Sequence, residues 1–175
     1  YIDYSNAITQ HIVDAFQAPN SEHIFGTDQF GRDLFARIIY GGRISLGAGL
    51  ATVAIAFVGG VVMGGVAGYF GGKTDAIIMR VCDMLMSIPG TMLAMAIVAA
   101  LGAGLDKLLV SLAIVKIPGS ARTVRAAIMN YRNSEFTEAA RCYGTSNIRL
   151  IFKHLLPNIM GPLIVTTFME LGTII

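Results

Sequence analysis

The run "AGYFGGKT", Ala67 to Thr74, puts Gly72, Lys73 and Thr74 where a phosphate-binding loop of the form G-x-x-x-x-G-K-[ST] ends, with Ala67 in place of its first glycine. In such a loop, backbone N–H groups cradle the phosphates of a nucleotide and the lysine reaches them, so this is the first place to look for chemistry. Other candidates are sparse. Cys82 and Cys142 are the only cysteines, and neither their number nor their spacing suggests a metal site or a disulfide framework. Glu138 has no nucleophile, metal ligand or phosphate cradle near it in sequence, which argues against a hydrolytic general base. Lys116 and Glu170 stand within otherwise apolar runs, where an ionisable group is costly and marks a cavity or a partner charge. Lys116 could alternatively stretch toward the inner membrane interface. No catalytic, cofactor-binding or metal-binding residue is assigned, and the chain itself is read as a non-enzyme.

The surroundings decide against nucleotide binding. Hydrophobic residues make up 54% of the 175 and charged residues 14%, and mean hydropathy is +0.65, a membrane-protein composition. The net charge of +2 is too small to point to nucleic acid. Twenty-nine uncharged residues separate Arg43 from Lys73, and a spanning helix needs only about 20. "AGYFGGKT" therefore closes a membrane helix, whereas a phosphate-binding loop must follow a buried strand in an α/β domain. A second span is expected in the 22 uncharged residues between Asp83 and Asp106, with a kink at Pro89 and Gly90. A third is expected over Leu108 to Ala121, interrupted by Lys116 and Pro118, and a fourth over Leu155 to Ile175. The fold class is thus all-α, a polytopic helical bundle in the membrane.

Along the first span Ala48, Thr52, Ala56, Gly60, Gly64, Gly68 and Gly72 recur every four residues, a groove of small side chains that lets another helix approach backbone to backbone. Lys116, Arg122, Arg125, Arg132, Arg141, Arg149 and Lys153 face only Glu135 and Glu138 between residues 116 and 153, so the positive-inside rule places residues 122–154 in the cytoplasm. Counting back, residues 71–83 are also inside, and residues 1–43 and 102–107 are outside. The expected division is an external segment, 1–43, followed by a transmembrane domain, 44–175, whose cytoplasmic loop covers about 122–157.

That loop is built to fold. Ser134 is a candidate N-cap, Glu135 and Glu138 suit the first turn, and Gly144 is placed to end a helix of about nine residues in the left-handed conformation. Ser146 can cap a second helix over "NIRLIFKHLL", which Pro157 terminates or kinks as the chain re-enters the membrane. Ala139 and Ala140 keep the surface of the first helix low, and Phe136 and Tyr143, seven residues apart, share one side as candidate aromatic anchors for a partner's cleft. A helix resting on lipid headgroups is the competing reading.

"EAARCYGTSNIRLIFKHLLPNIMGPLIV" resembles the EAA motif, E-A-A-x-x-x-G followed by I-x-x-x-x-L-P, of membrane subunits of ATP-binding-cassette importers, matched at Glu138, Ala139, Ala140, Gly144, Ile151 and Pro157. "GTDQFGRDLFARIIYGGRISL" and "DMLMSIPGTMLA" resemble permeases that import dipeptides, oligopeptides or nickel, the second permease of each pair. The resemblance implies a type I importer of a bacterial or archaeal inner membrane. It implies a second permease subunit, two cytoplasmic ATPase subunits that hydrolyse the ATP, and an external solute-binding protein. It implies that Glu138 to Gly144 form the coupling helix that docks to the ATPase, and that Gly26, Asp28, Gly31, Arg32 and Asp33 belong to a structural external segment. It also implies further helices beyond both ends, so the bundle is expected to be truncated, and Lys116 and Glu170 occupy positions usually uncharged. Two other functions fit the helices alone: a secondary transporter with Lys116 and Glu170 as coupling groups, and a non-transporting membrane adaptor.

Overall fold

The computed structural model describes residues 4–174, apart from the side chain of Asn6. The chain divides into two compact units, Tyr1–Ala48 and Gly49–Ile175. The first contains α1 (Tyr4–Ile8), a single 3-10 turn at Ile12–Asp14, and the start of α2 (Leu34–Phe70), a helix of 37 residues that continues into the second unit.

The loop before α2 is held by charge and by hydrogen bonds. Asp33 is the N-cap of α2 in function: its Oδ1 accepts from the Ala36 N–H at 2.8 Å while its Oδ2 meets His23 Nδ1 at 2.8 Å. Burial would raise the pKa of this carboxyl, but the Ala36 N–H and His23 outweigh it and hold the pKa below the ordinary value. Asp28 accepts from the backbone of Phe30 and Arg32 and pairs with the guanidinium groups of Arg32 and Arg37, which likewise overcome desolvation and lower its pKa. Gly31 adopts φ +71, and a Cβ there would lie 1.7 Å from the His11 carbonyl oxygen, so only glycine fits. Arg37, awkward outside the membrane by charge counting, is the partner of Asp28.

In the second unit α2 runs on to Phe70. Its 37 residues span about 55 Å at ~1.5 Å per residue, well beyond the ~30 Å of a hydrocarbon core. The small-residue groove is occupied by α5 (Leu105–Tyr131). A Cβ on Gly60 would lie 2.4 Å from the Ser120 Cβ, one on Gly64 2.3 Å from the Ala121 carbonyl oxygen, and one on Gly68 2.8 Å from the Arg125 carbonyl oxygen. Thr52 and Ala56 are fully buried. Gly72, by contrast, has nothing within 4 Å of such an atom, so the contact ends a turn short of the expected stripe.

The next two elements differ from expectation. Residues 71–83, expected as a loop, belong to α3 (Gly72–Met86), and the following α4 (Gly90–Leu101) has only 12 residues. The two meet at a bend of 89° across Ser87 to Pro89, so the second span is a broken pair and not one kinked helix. At ~1.5 Å per residue α4 covers about 18 Å, short of a full crossing. Two of the charges of α3 are matched on α5: Asp75 with Arg125, and Asp83 with Arg122. Helix α5 is correspondingly longer than the expected Leu108–Ala121. It passes through the buried Pro118 and continues to Tyr131, and Asp106, Lys107, Lys116, Arg122 and Arg125 break up its apolar character.

After α5 come α6 (Glu135–Cys142), a short α7 (Asn147–Arg149), a π-helical turn at Leu150–Leu155, and α8 (Leu156–Ile174). The last three form one continuous helix of 28 residues, long and apolar enough to cross a membrane, as is α2. Pro157 therefore neither ends a helix nor joins a loop to one. The Leu156 N–H donates to the Ile151 carbonyl five residues back, so the ladder is already shifting register where Pro157 contributes no N–H. The Asn158 side-chain amide then donates to the His154 carbonyl at 2.7 Å. Val124, Ile128, Leu150, Ile151, Leu155, Leu156, Ile159 and Leu163 form the core that joins α5 to α8.

Candidate functional site

The short helix α6 is fixed at both ends. It starts directly after Ser134, although the Ser134 hydroxyl donates to the Tyr131 carbonyl at 2.7 Å instead of accepting from a helix N–H. Backbone supplies the cap: the Thr137 and Glu138 N–H groups both donate to the Ser134 carbonyl. At the other end Gly144 has φ +73, its N–H donates to the Arg141 carbonyl, and the Thr145 N–H reaches the Ala140 carbonyl. These are the paired closing bonds of a Schellman motif, and they require the left-handed residue that glycine provides.

Burial separates the two faces of the helix. Thr137 is fully buried and bonded to the Tyr131 carbonyl, and Ala140 packs against the core. Glu135, Glu138, Ala139 and Tyr143 are exposed. The two aromatic residues expected to share one side are both exposed. Phe136 leans against the Tyr131 ring, with centroids 6.3 Å apart, whereas Tyr143 is the C-cap, outside the helix, and is 90% exposed. Ile148, on α7, adds an exposed apolar side chain that the sequence reading passed over. The exposed residues of the loop thus include carboxylates, a low alanine and two large hydrophobic side chains, Tyr143 and Ile148, a chemistry suited to a protein cleft.

The residue that sequence reasoning missed lies in the false phosphate-binding loop. Tyr69, the penultimate residue of α2, donates its hydroxyl hydrogen to Asn147 Oδ1 at 2.6 Å, and the Arg141 guanidinium sits 5.5 Å above its ring. No local signal could reveal this, since Asn147 is 78 residues away. Lys73 and Thr74 of the same run belong to the first turn of α3. The long helix before them and the absence of strands among the described residues remove the setting a nucleotide loop requires.

Lys116 and Glu170 are brought together from α5 and α8. Both line an open cavity of about 320 Å3, alongside Met86, Gly90 and Val115. Lys116 does not run toward the loop: its Nζ donates to Thr173 Oγ1 at 3.1 Å, near the far end of α8. Glu170 accepts a long hydrogen bond of 3.5 Å from Ser120. Among the described residues they form no ion pair with each other, although both line the same cavity. Cys82 is buried and Cys142 exposed, both as free thiols.

Two apolar crossings, a broken helix pair and a folded polar loop define an integral membrane protein of the α-helical bundle class. Residues 60–175 match the family described as the binding-protein-dependent transport system inner membrane component, and the chain belongs to that family. It is 45% identical over 159 residues to the dipeptide transport system permease protein DppC of Alkalihalophilus pseudofirmus, covering 91% of this chain and 52% of that one. It is 40% identical over 156 residues to the glutathione transport system permease protein GsiD of Pectobacterium atrosepticum, covering 89% and 52%. It is 35% identical over 173 residues to the oligopeptide transport system permease protein OppC of Bacillus subtilis, covering 99% and 56%. The chain spans about half the length of these curated relatives.

Proposed function

We propose that this chain is part of a permease subunit of an ATP-driven importer and contributes to the pathway for a short peptide or a related small solute such as nickel. In this reading a separate cytoplasmic ATPase docks on α6, a second permease completes the pathway, and an external binding protein delivers the solute. The observation that carries the reading is the division of α6: an inner face locked to the core through Thr137 and Ala140, and an outer face of Glu138, Ala139 and Tyr143 held open by the Gly144 turn. The exposed hydrophobic groups flank the Gly144 turn in sequence, Tyr143 before it and Ile148 of α7 after it.

Residues 122–154 are assigned to the cytoplasm and residues 1–43 to the exterior. Support for the sidedness comes from Asp75–Arg125 and Asp83–Arg122, which bring α3 to the same end of α5 as the basic loop. Lys116 and Glu170 are assigned to the pathway, on the cavity they share. Gly26, Asp28, Gly31, Arg32 and Asp33 are assigned a structural role, because their contacts are spent on one another and on neighbouring backbone.

Coupling requires that the docked helix contact one ATPase arrangement better than the other, since only differential contact shifts a population. The test is cross-linking from Ala139→Cys in the full-length protein, co-expressed with a candidate ATPase subunit. Capture that changes on addition of ATP is expected. Solute uptake driven by an ion gradient, with no captured ATPase, would overturn the proposal in favour of secondary transport.

A further inference from the structure

One side chain touches both helices of the loop. The Tyr69 hydroxyl holds Asn147, the first residue of α7, and its ring lies beneath Arg141 in the last turn of α6, so Tyr69 bridges the Gly144 turn from behind. Its own backbone is immobilised. The neighbouring Gly68 is in close contact with the Arg125 carbonyl, the tight end of the α2–α5 groove. Tyr69 is 6% exposed and belongs to the core cluster with Val124, Ile128 and Leu150.

A core role would need only the ring, and phenylalanine would fill the same space. A buried hydroxyl is unfavourable unless it is hydrogen-bonded, and here the bond leads to a side chain of the loop and not to the core. We infer that Tyr69 is the positioning residue that converts movement of the α6–α7 loop into movement of α2 and, through the groove, of α5. The inference rests on the coupling role proposed above. Without the hydroxyl, the loop retains its apolar footing through Ala140, Leu150 and Ile151 but loses its directional tie to α2.

The test uses the full-length permease, assembled with its partner subunits and binding protein in liposomes, with ATP hydrolysis and uptake of a radiolabelled dipeptide measured on the same preparation. Tyr69→Phe is expected to lower uptake per ATP hydrolysed about tenfold, with hydrolysis retained. Asn147→Ala, an exposed change that leaves the core intact, should do the same. The double variant should be no worse than either single one, because both remove one shared link. A wild-type ratio in Tyr69→Phe overturns the inference. So do additive effects in the double variant, or uptake and hydrolysis falling in proportion, which would mark a structural role. Absence of ATP-driven uptake in the unmodified assembly would instead overturn the importer reading, and the inference with it.

Discussion

Replacing Gly64 with alanine adds one methyl group at the tightest backbone contact between α2 and α5. The new Cβ would lie 2.3 Å from the Ala121 carbonyl oxygen and 2.9 Å from the Val124 Cβ, where ordinary contact begins near 3.4 Å, so the helices must part by about 1 Å. The parting also loosens the contacts at Gly60 and Gly68. Overpacking typically costs about 1–3 kcal/mol, and the upper end applies because the obstructing atom is backbone. Alanine's better helix propensity returns ~1 kcal/mol, for a net loss of about 2 kcal/mol. Gly47 is the control: it lies in the same helix with nothing within 4 Å of its added Cβ, so Gly47→Ala keeps the ~1 kcal/mol gain. The two variants should therefore differ by about 3 kcal/mol, several degrees in the midpoint of thermal unfolding. The measurement is circular dichroism of the full-length permease in detergent at one scan rate. If Gly64→Ala melts at or above Gly47→Ala, the groove is not a packing contact and the reasoning fails.

At Gly144 the space is open but φ is +73, so the penalty comes from backbone conformation alone. Gly144→Val should reduce ATP-coupled uptake while membrane insertion is unchanged, and Gly144→Asn, which tolerates the left-handed region, should stay near wild type; equal uptake by both substitutions would contradict the turn. In the first unit the folded-state pKa values of Asp28 and Asp33 lie below the ordinary value near 4, so their contribution to stability is full above it and declines as pH falls through the lower folded values. Hydrogen-exchange protection of residues 11–36, corrected for intrinsic rates, should hold from pH 7 to 5 and fall below pH 4. Asp33→Asn should flatten part of that decline, and an unchanged profile would show that the carboxyl is not linked to folding.

The features legible in sequence were those whose signal is local. Small residues at every fourth position announced a groove, and α5 fills it at Gly60, Gly64 and Gly68. Gly144 announced the left-handed end of α6. What stayed hidden depends on partners distant in sequence. Lys73, Asp75, Arg80 and Asp83 read as a charged loop, because the arginines that match Asp75 and Asp83 lie on α5. Tyr69 carried no signal of its own, because Asn147 lies in another element 78 residues away. Pro157 read as a stop or a kink, since the wide turn that accommodates it is set by the core packing of Leu150, Ile151 and Leu155 and not by any breaker residue. Phe136 and Tyr143 were placed on one side by helical spacing, which could not show that Phe136 also leans on Tyr131.

The π-helical segment at Leu150–Leu155 is equivalent to one surplus residue carried in an otherwise regular rod. A surplus of this kind can shift along its helix by exchanging one set of hydrogen bonds for the next, and each residue it passes changes its angular position by about 100° while the two ends keep their phase. The side chains of that one wide turn can therefore be re-aimed while the helix on either side stays unbroken.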